Sequence, residues 1–238
     1  MARDLYGKFA EVYDSVMRSQ FFYDLYYAFA VEMCRKHKVK PKAVLELACG
    51  TGNLMQIFKA NEFSVEGLDI SEGMLLAAKS KGLKVALGDI SNFNLGRKYD
   101  LILCIFDSLN HLSTLAKLES CFKSVKRHLG GLFIFDLNSD YRINEIMPLY
   151  GVQEKMNYDG YEIAWKNFSR KNRWTAQISM VDEKTREKNV VRITERAFSL
   201  QHVEFAIKKA GLELLGVYSS LNFLPVTKKS ERWFFICR

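Results

Sequence analysis

The segment Leu45-Glu46-Leu47-Ala48-Cys49-Gly50-Thr51-Gly52-Asn53 is an apolar run that breaks into a glycine-rich turn at the mouth of a helical stretch. Such a turn aims backbone N–H groups at a ligand, and its glycines let the main chain approach closely. A dinucleotide-binding turn would carry a third glycine near position 55 against the pyrophosphate, where this chain has Met55. Glu46, just ahead of the turn, repels pyrophosphate and suits a ligand with a positively charged amino group. Asp69 closes the next β-rich run in Gly67-Leu68-Asp69-Ile70-Ser71, 23 residues after Glu46, where a carboxylate accepts hydrogen bonds from two ribose hydroxyls. A third run ends in Gly88-Asp89-Ile90, which offers a carboxylate, a backbone N–H and an apolar side chain to the amino edge and face of adenine.

S-adenosylmethionine, with an ammonium and a sulfonium, is a ligand of this chemistry. The three signals, in this order and each at the carboxyl end of a consecutive strand, resemble the class I S-adenosylmethionine-dependent methyltransferase family over residues 41–140. The stretch Tyr6-Gly7-Lys8-Phe9-Ala10-Glu11-Val12-Tyr13-Asp14-Ser15-Val16-Met17 resembles the lead-in of its small-molecule members, which folds over the cofactor. The resemblance therefore implies Tyr6, Tyr13 and Asp14 as lid residues, and their aromatics also suit ordinary packing on the core. It implies S-adenosylmethionine as methyl donor, S-adenosylhomocysteine as product, and a binding set of Tyr6, Tyr13, Glu46, Ala48, Gly50, Gly52, Asn53, Asp69, Ile70, Met74, Asp89, Ile90 and Phe106. Ala48 stands where many members have glycine and keeps a small side chain beside the ligand.

Phe106-Asp107-Ser108-Leu109-Asn110-His111-Leu112 follows the fourth strand and should face the methyl group, because ligands lie outside the carboxyl ends of parallel strands. Transfer from a sulfonium draws much of its rate from alignment of the two reactants. Where the acceptor holds a proton, His111 is the first candidate base and Asp107 the second, with Asn110 placed to orient the substrate. The structural alternatives are a capping role for His111 and a turn role for Asp107. Members that methylate exocyclic amines of nucleic-acid bases carry an Asn or Asp, two prolines and an aromatic here, and this chain does not.

These residues need a frame. After Pro41 short β-rich runs (residues 43–47, 64–69, 84–87, 100–106 and 131–136) alternate with helical stretches at residues 53–60, 72–81 behind Ser71, and 114–129 behind Ser113 and ending at Gly130-Gly131. That alternation predicts an α/β fold with a Rossmann-like, doubly wound, mostly parallel sheet. Two helices between Leu5 and Lys38 form an N-terminal helical layer or lid over residues 1–40. Residues 151–198 instead read as three antiparallel strands, an inserted β cap whose Tyr158, Tyr161, Trp165 and Trp174 either line a pocket or pack the insertion's own core. A helix from Leu200 to Ala210 behind Ser199 and a terminal antiparallel hairpin complete a cofactor domain of residues 41–150 and 199–238.

The net charge of +8 is dispersed, with one basic run at Arg35-Lys36-His37-Lys38-Val39-Lys40, and reads as a solvated surface or as a footprint for RNA. A small-molecule acceptor, methylated on nitrogen or oxygen, is the leading expectation. An RNA methyltransferase, a non-catalytic S-adenosylmethionine-binding module and a nucleotide-dependent oxidoreductase are the rivals. Five widely spaced cysteines (Cys34, Cys49, Cys104, Cys121, Cys237) without a CxxC pair, and His37, His128 and His202 without ligand-spaced partners, predict a reduced, metal-free, cytoplasmic protein. Arg3, Asp4, Lys8 and Glu11 break up the N-terminus, and runs such as residues 101–106 are too short to span a membrane, so no signal peptide, transmembrane helix or membrane partner is expected. A monomer or a homodimer fits equally.

Overall fold

The alternating runs fold, in the computed structural model, into strands β1 (Ala43–Leu47), β2 (Ser64–Asp69), β3 (Lys84–Leu87), β4 (Tyr99–Cys104) and β5 (Leu129–Asn138). Helices α1 (Tyr13–Arg18) and α2 (Tyr23–Lys36) precede them, and α3 (Asn53–Ala60), α4 (Glu72–Ser80) and α5 (Leu115–His128) connect them. The structure describes residues 6–18, 22–152 and 155–238; Arg3, Asp4 and Leu5 lie outside the described residues. An inserted sheet follows in β6 (Met156–Tyr158), β7 (Tyr161–Arg170), β8 (Arg173–Asp182) and β9 (Lys188–Arg196), and α6 (Leu200–Lys209), β10 (Leu214–Tyr218) and β11 (Arg232–Cys237) close the chain.

The main sheet runs β10-β11-β5-β4-β1-β2-β3. Its five strands from β3 to β5 are parallel, and β11 and β10 join antiparallel, completing a Rossmann-like α/β fold with an extra antiparallel sheet. Helices cover both faces, so both faces of the central strands are buried and their sequences are continuously apolar. On one face Phe122, Phe133, Phe135 and Phe235 pack together, the Phe135 and Phe235 rings stacking at 4.7 Å. The order of strands reverses between β1 and β4, which is where an open α/β sheet leaves a crevice at its carboxyl edge.

Ser71 and Ser199 cap α4 and α6 as expected, accepting from Met74 N and His202 N. For α5 the cap is Thr114, not Ser113: its hydroxyl accepts from Lys117 N. Nor does α5 end at a glycine pair. It passes directly into β5, and Gly130 and Gly131 lie within that strand, where a Cβ on Gly131 would meet the Asp100 carbonyl oxygen at 2.2 Å.

The N-terminal segment divides between two layers. Tyr26, Phe29, Ala30, Met33 and Cys34 of α2 pack onto the main sheet with Val44, Leu101 and Phe234. Phe9, Val12 and Val16, from a 3-10 turn (Gly7–Glu11) and α1, pack instead under the inserted sheet against Ile163, Ala176, Ile178 and Met180. The inserted sheet is antiparallel in the order β6-β7-β8-β9, one strand more than expected. No helix among the described residues is long and apolar enough to cross a membrane.

Candidate active site

A cavity of about 340 Å³ sits over the carboxyl ends of β1, β2 and β4, between the main sheet and the N-terminal segment. Its floor is the β1–α3 turn, in which Ala48, Gly50 and Gly52 all adopt left-handed backbone (φ 53°, 54° and 77°). Space at Gly50 is open, with nothing within 4 Å of where a Cβ would stand, whereas a Cβ on Gly52 would meet Leu83 Cδ1 at 2.2 Å. Gly50 thus faces the cavity. Gly52 serves close packing and is the one residue of the expected binding set that does not line it.

Asp69 is set by the main chain. Gly50 N donates to its Oδ2 at 2.8 Å and Ser71 N to its Oδ1 at 2.9 Å, which fixes the carboxylate at the edge of the cavity. Glu46 is 5% exposed, and its Oε2 has no hydrogen-bond partner. Burial, then the charge of Asp69, pushes its carboxyl up to about 8. Asp89 and Ile90 line the far wall with Ile70 and Met74.

Tyr6 and Tyr13, their rings edge to face at 6.2 Å, line the lid side, and burial pushes both phenols up. Asp14 latches this segment to the floor. Its carboxylate accepts from Thr51 Oγ1, from Asn53 Nδ2 at 2.9 Å and from Lys81 Nζ at 2.6 Å, and Lys81 also donates to Thr51 O and Asn53 Oδ1, both at 2.9 Å. Burial opposes the Asp14 charge, but these bonds hold its carboxyl below the usual range.

Beyond β4 the backbone turns left-handed at two successive non-glycine residues, Phe106 (φ 60°) and Asp107 (φ 53°). Each such residue costs of order 1–3 kcal/mol and persists only where its surroundings hold it. Here the Phe106 ring packs on Tyr26 at 4.4 Å, Asp107 N donates to Asp136 Oδ1 at 2.9 Å, and Arg232 bridges Asp107 (2.7 Å) and Asp136. Burial opposes the Asp107 charge, yet Arg232 and then His111 hold its carboxyl below its usual range. Burial pushes Asp136 up to about 6 despite Arg232.

The turn directs Asp107 into a second cavity of about 260 Å³, between the first and the inserted sheet. Tyr6, Tyr13, Phe106, His111 and Ile193 line both. His111 Nδ1 lies 3.2 Å from Thr194 O, so when Nδ1–H donates there the basic nitrogen is Nε2. Tyr158, Tyr161, Trp165 and Trp174 all pack with the insertion's own core, and Trp165 and Trp174 are also walls of this cavity.

Asn110, expected to orient a substrate, is fully buried. Its Oδ1 accepts from Asn138 N, and its Nδ2 donates to Asn138 O and Arg196 O, which makes it a strut between the two sheets. Asn138 Nδ2 in turn donates to Glu195 Oε2 at 2.7 Å. Glu195, 4% exposed, lines the second cavity, and burial, then Asp107, pushes its carboxyl well above the usual range. Sequence reasoning missed it, although a carboxylate on the inward register of β9, in step with Val191 and Ile193, is a legible signal. Arg232 and Arg142 carried no such signal.

Residues 44–130 match the family model described as a methyltransferase domain. An S-adenosylmethionine-dependent methyltransferase from Clostridium acetobutylicum ATCC 824, known by its crystal structure, is 31% identical, with 98% of each chain covered and a TM-score of 0.84. A Bacillus subtilis (strain 168) protein that carries a methyltransferase name, YqeM, is 28% identical over 97% of this chain and 96% of its own length. The Streptomyces fradiae dTDP-3-amino-3,6-dideoxy-alpha-D-glucopyranose N,N-dimethyltransferase is 32% identical over 53% of this chain and 51% of its own.

Proposed function

Because the chain belongs to the class I S-adenosylmethionine-dependent methyltransferase family, we propose that it holds the cofactor in the larger cavity and methylates a nitrogen of a small molecule held in the smaller one. In this reading residues 41–150 and 199–238 are the cofactor domain, residues 151–198 the acceptor cap, and the segment up to α1 the lid. The observation that carries it is the charge at the junction. Asp107 and Asp136 share one buried guanidinium, Arg232, and Glu195, whose carboxyl is pushed well above the usual range by burial and Asp107, lines the same cavity, so the acceptor side holds more carboxyl groups than its guanidinium can meet. An amine supplies positive charge there and a hydroxyl does not. The named activity of the Streptomyces fradiae relative supports nitrogen as well.

The residues of the larger cavity fit the cofactor. The unpartnered Glu46 Oε2 suits its ammonium, the amide-held Asp69 carboxylate its ribose hydroxyls, Asp89 and Ile90 its adenine, and the open space at Gly50 a close backbone contact. When bound, the cofactor supplies a methyl group on a sulfonium, a good neutral leaving group. Tyr6 and Tyr13 exclude water from it, and Phe106 and His111, on the wall common to both cavities, align the acceptor. The amine arrives as an ammonium and passes one proton to His111 Nε2, freeing the lone pair that forms the N–C bond while the C–S pair goes to sulfur. Asp107, kept ionised by Arg232, steadies the resulting imidazolium.

Calorimetric titration with S-adenosylmethionine and S-adenosylhomocysteine, wild type beside Asp69→Ala, tests the cofactor half: binding is expected in the wild type and lost in the variant. Transfer of labelled methyl to a panel of small amines, matched alcohols and RNA tests the acceptor half. Labelling of alcohols or RNA in preference to amines would overturn it.

A further inference from the structure

The two faces of the inserted sheet differ in kind. Inward positions carry Ile163, Trp165, Ile178, Met180 and Glu195, which pack on the N-terminal segment or wall the smaller cavity. The alternate positions face out, and the register of β7, β8 and β9 puts Lys166, Arg170, Arg173, Lys188, Arg192 and Arg196 on that one surface. No outward side chain of these three strands is buried, so nothing among the described residues covers the face. Its one carboxylate is Glu162, which Lys155 meets at 2.8 Å. None of the six cations forms an ion pair with a described residue. The whole chain has 35 basic to 27 acidic residues, so six cations to one carboxylate is a concentration that folding creates out of dispersed charge.

The register also sets like charges against one another. Arg170 stands directly opposite Arg173, and Arg173 directly opposite Arg196, which makes a row of three guanidiniums across three strands. Such pairs weaken a sheet unless an anion lies between them. Arg196 Nη1 donates to Ser113 O at 2.7 Å, while the guanidiniums of Arg170 and Arg173 have no hydrogen-bond partner among the described residues. Guanidinium groups free in this way present paired donors to a phosphate.

Phe168 lies between Lys166 and Arg170 on the same side of β7, about 7 Å along the strand from each, and is 45% exposed. An exposed ring flanked by cations on an open sheet is a stacking platform for a base whose neighbouring phosphates need positive charge. An acidic protein segment would answer the charge and leave the ring unused. An anionic membrane would find only Phe168 and Val190 exposed and apolar among the outward residues of these strands, too little to enter it. We propose that this face docks a single-stranded nucleic acid, its phosphates on Lys166, Arg170, Arg173 and Arg192 and one base on Phe168. The strand lies on the opposite surface of the sheet from the walls of the smaller cavity, so this docking stands independently of what that cavity holds.

The test uses the full chain and a fluorescein-labelled oligouridylate of about twelve nucleotides, followed by anisotropy between about 50 and 200 mM salt. Four phosphate contacts predict a slope of log affinity against log salt of about −3. Arg170→Glu with Arg173→Glu should weaken binding at least tenfold and cut the slope to about −1.4. Phe168→Ala should weaken it about tenfold and leave the slope unchanged, because stacking releases no counterions. Reversal of two exposed lysines on α5, Lys123→Glu with Lys126→Glu, makes the same change in net charge away from the face and should alter affinity by less than about threefold. An unchanged melting temperature reports that each variant is folded. No binding of the oligonucleotide at the lowest salt, equal loss from the α5 and sheet reversals, or Phe168→Ala without effect overturns the proposal. So does binding of an oligoglutamate of the same length, or of phosphatidylserine vesicles, as tight as that of the oligonucleotide.

Discussion

In Glu46→Gln a buried carboxyl that resists ionisation is exchanged for an amide of nearly equal shape, and the consequence is a measurable change in how stability depends on pH. Burial and the neighbouring Asp69 lift the Glu46 carboxyl from 4.5 to about 8. Between those values the folded protein retains a proton that the unfolded chain has released, so the carboxyl makes folding progressively less favourable as pH rises from 4.5 towards 8. Full titration of that gap is worth about 5 kcal/mol, of which about 3 kcal/mol is reached by pH 7. The amide carries no such dependence. Denaturant unfolding of both proteins without cofactor, from pH 5 to pH 8.5, should therefore show the variant gaining on the wild type by about 1.4 kcal/mol for each unit of pH, levelling off near 8. Cofactor binding should reverse the sign for the wild type, because an ammonium beside Glu46 favours the ionised form. Calorimetry of S-adenosylhomocysteine in buffers of different ionisation enthalpy at pH 7 should then report release of close to one proton by the wild type, and markedly less by the variant. Parallel stability curves for the two proteins would refute the reasoning about burial. A proton count that Glu46→Gln leaves unchanged would refute the assignment of the ammonium.

Asp14→Ala removes three hydrogen bonds that latch α1 to the β1–α3 turn and leaves Lys81 without its carboxylate, so it should cost about 1–2 kcal/mol and speed amide exchange in the segment up to α1 while α2 stays protected. Equal exchange in both segments would mean that Asp14 is not the latch. Arg232→Met leaves Asp107 and Asp136 buried without their guanidinium and should cost about 3–5 kcal/mol at pH 7, with much of the loss recovered towards pH 5, where Asp136 protonates. A deficit independent of pH would count against the charge argument. Phe135→Ala opens a void between Phe122, Phe133 and Phe235 and should cost about 3–5 kcal/mol by denaturant unfolding, without shifting cofactor affinity in the protein that remains folded.

The glycine-rich turn, Asp69 and the Asp89-Ile90 pair were legible because each sits at the end of its own strand, and in a parallel sheet all those ends share one edge. Chain position therefore converted directly into spatial position. The same logic assigned Phe106, Asp107 and His111 to the far side of that edge. It could not tell Gly52 from Gly50, because one packs against Leu83 and the other faces open space, and that difference depends on α4 and the residues after it. Nor could it tell that Asn110 is a strut, since its partners Asn138 and Arg196 lie 28 and 86 residues away.

By itself, then, the sequence determined the α/β alternation, the parallel sheet and the row of carboxylates along its edge, since hydrophobic periodicity and turn chemistry act over a few neighbouring residues. Tertiary structure alone decided the acceptor side. Antiparallel pairing of β11 with β5 brings Arg232 opposite Asn138 and next to Asp136 and Asp107, and the inserted sheet carries Glu195 and Trp174 in from above. No local pattern encodes those meetings. They follow from which strands pair and in what register, and it is burial at the junction so formed that gives these charges their chemistry.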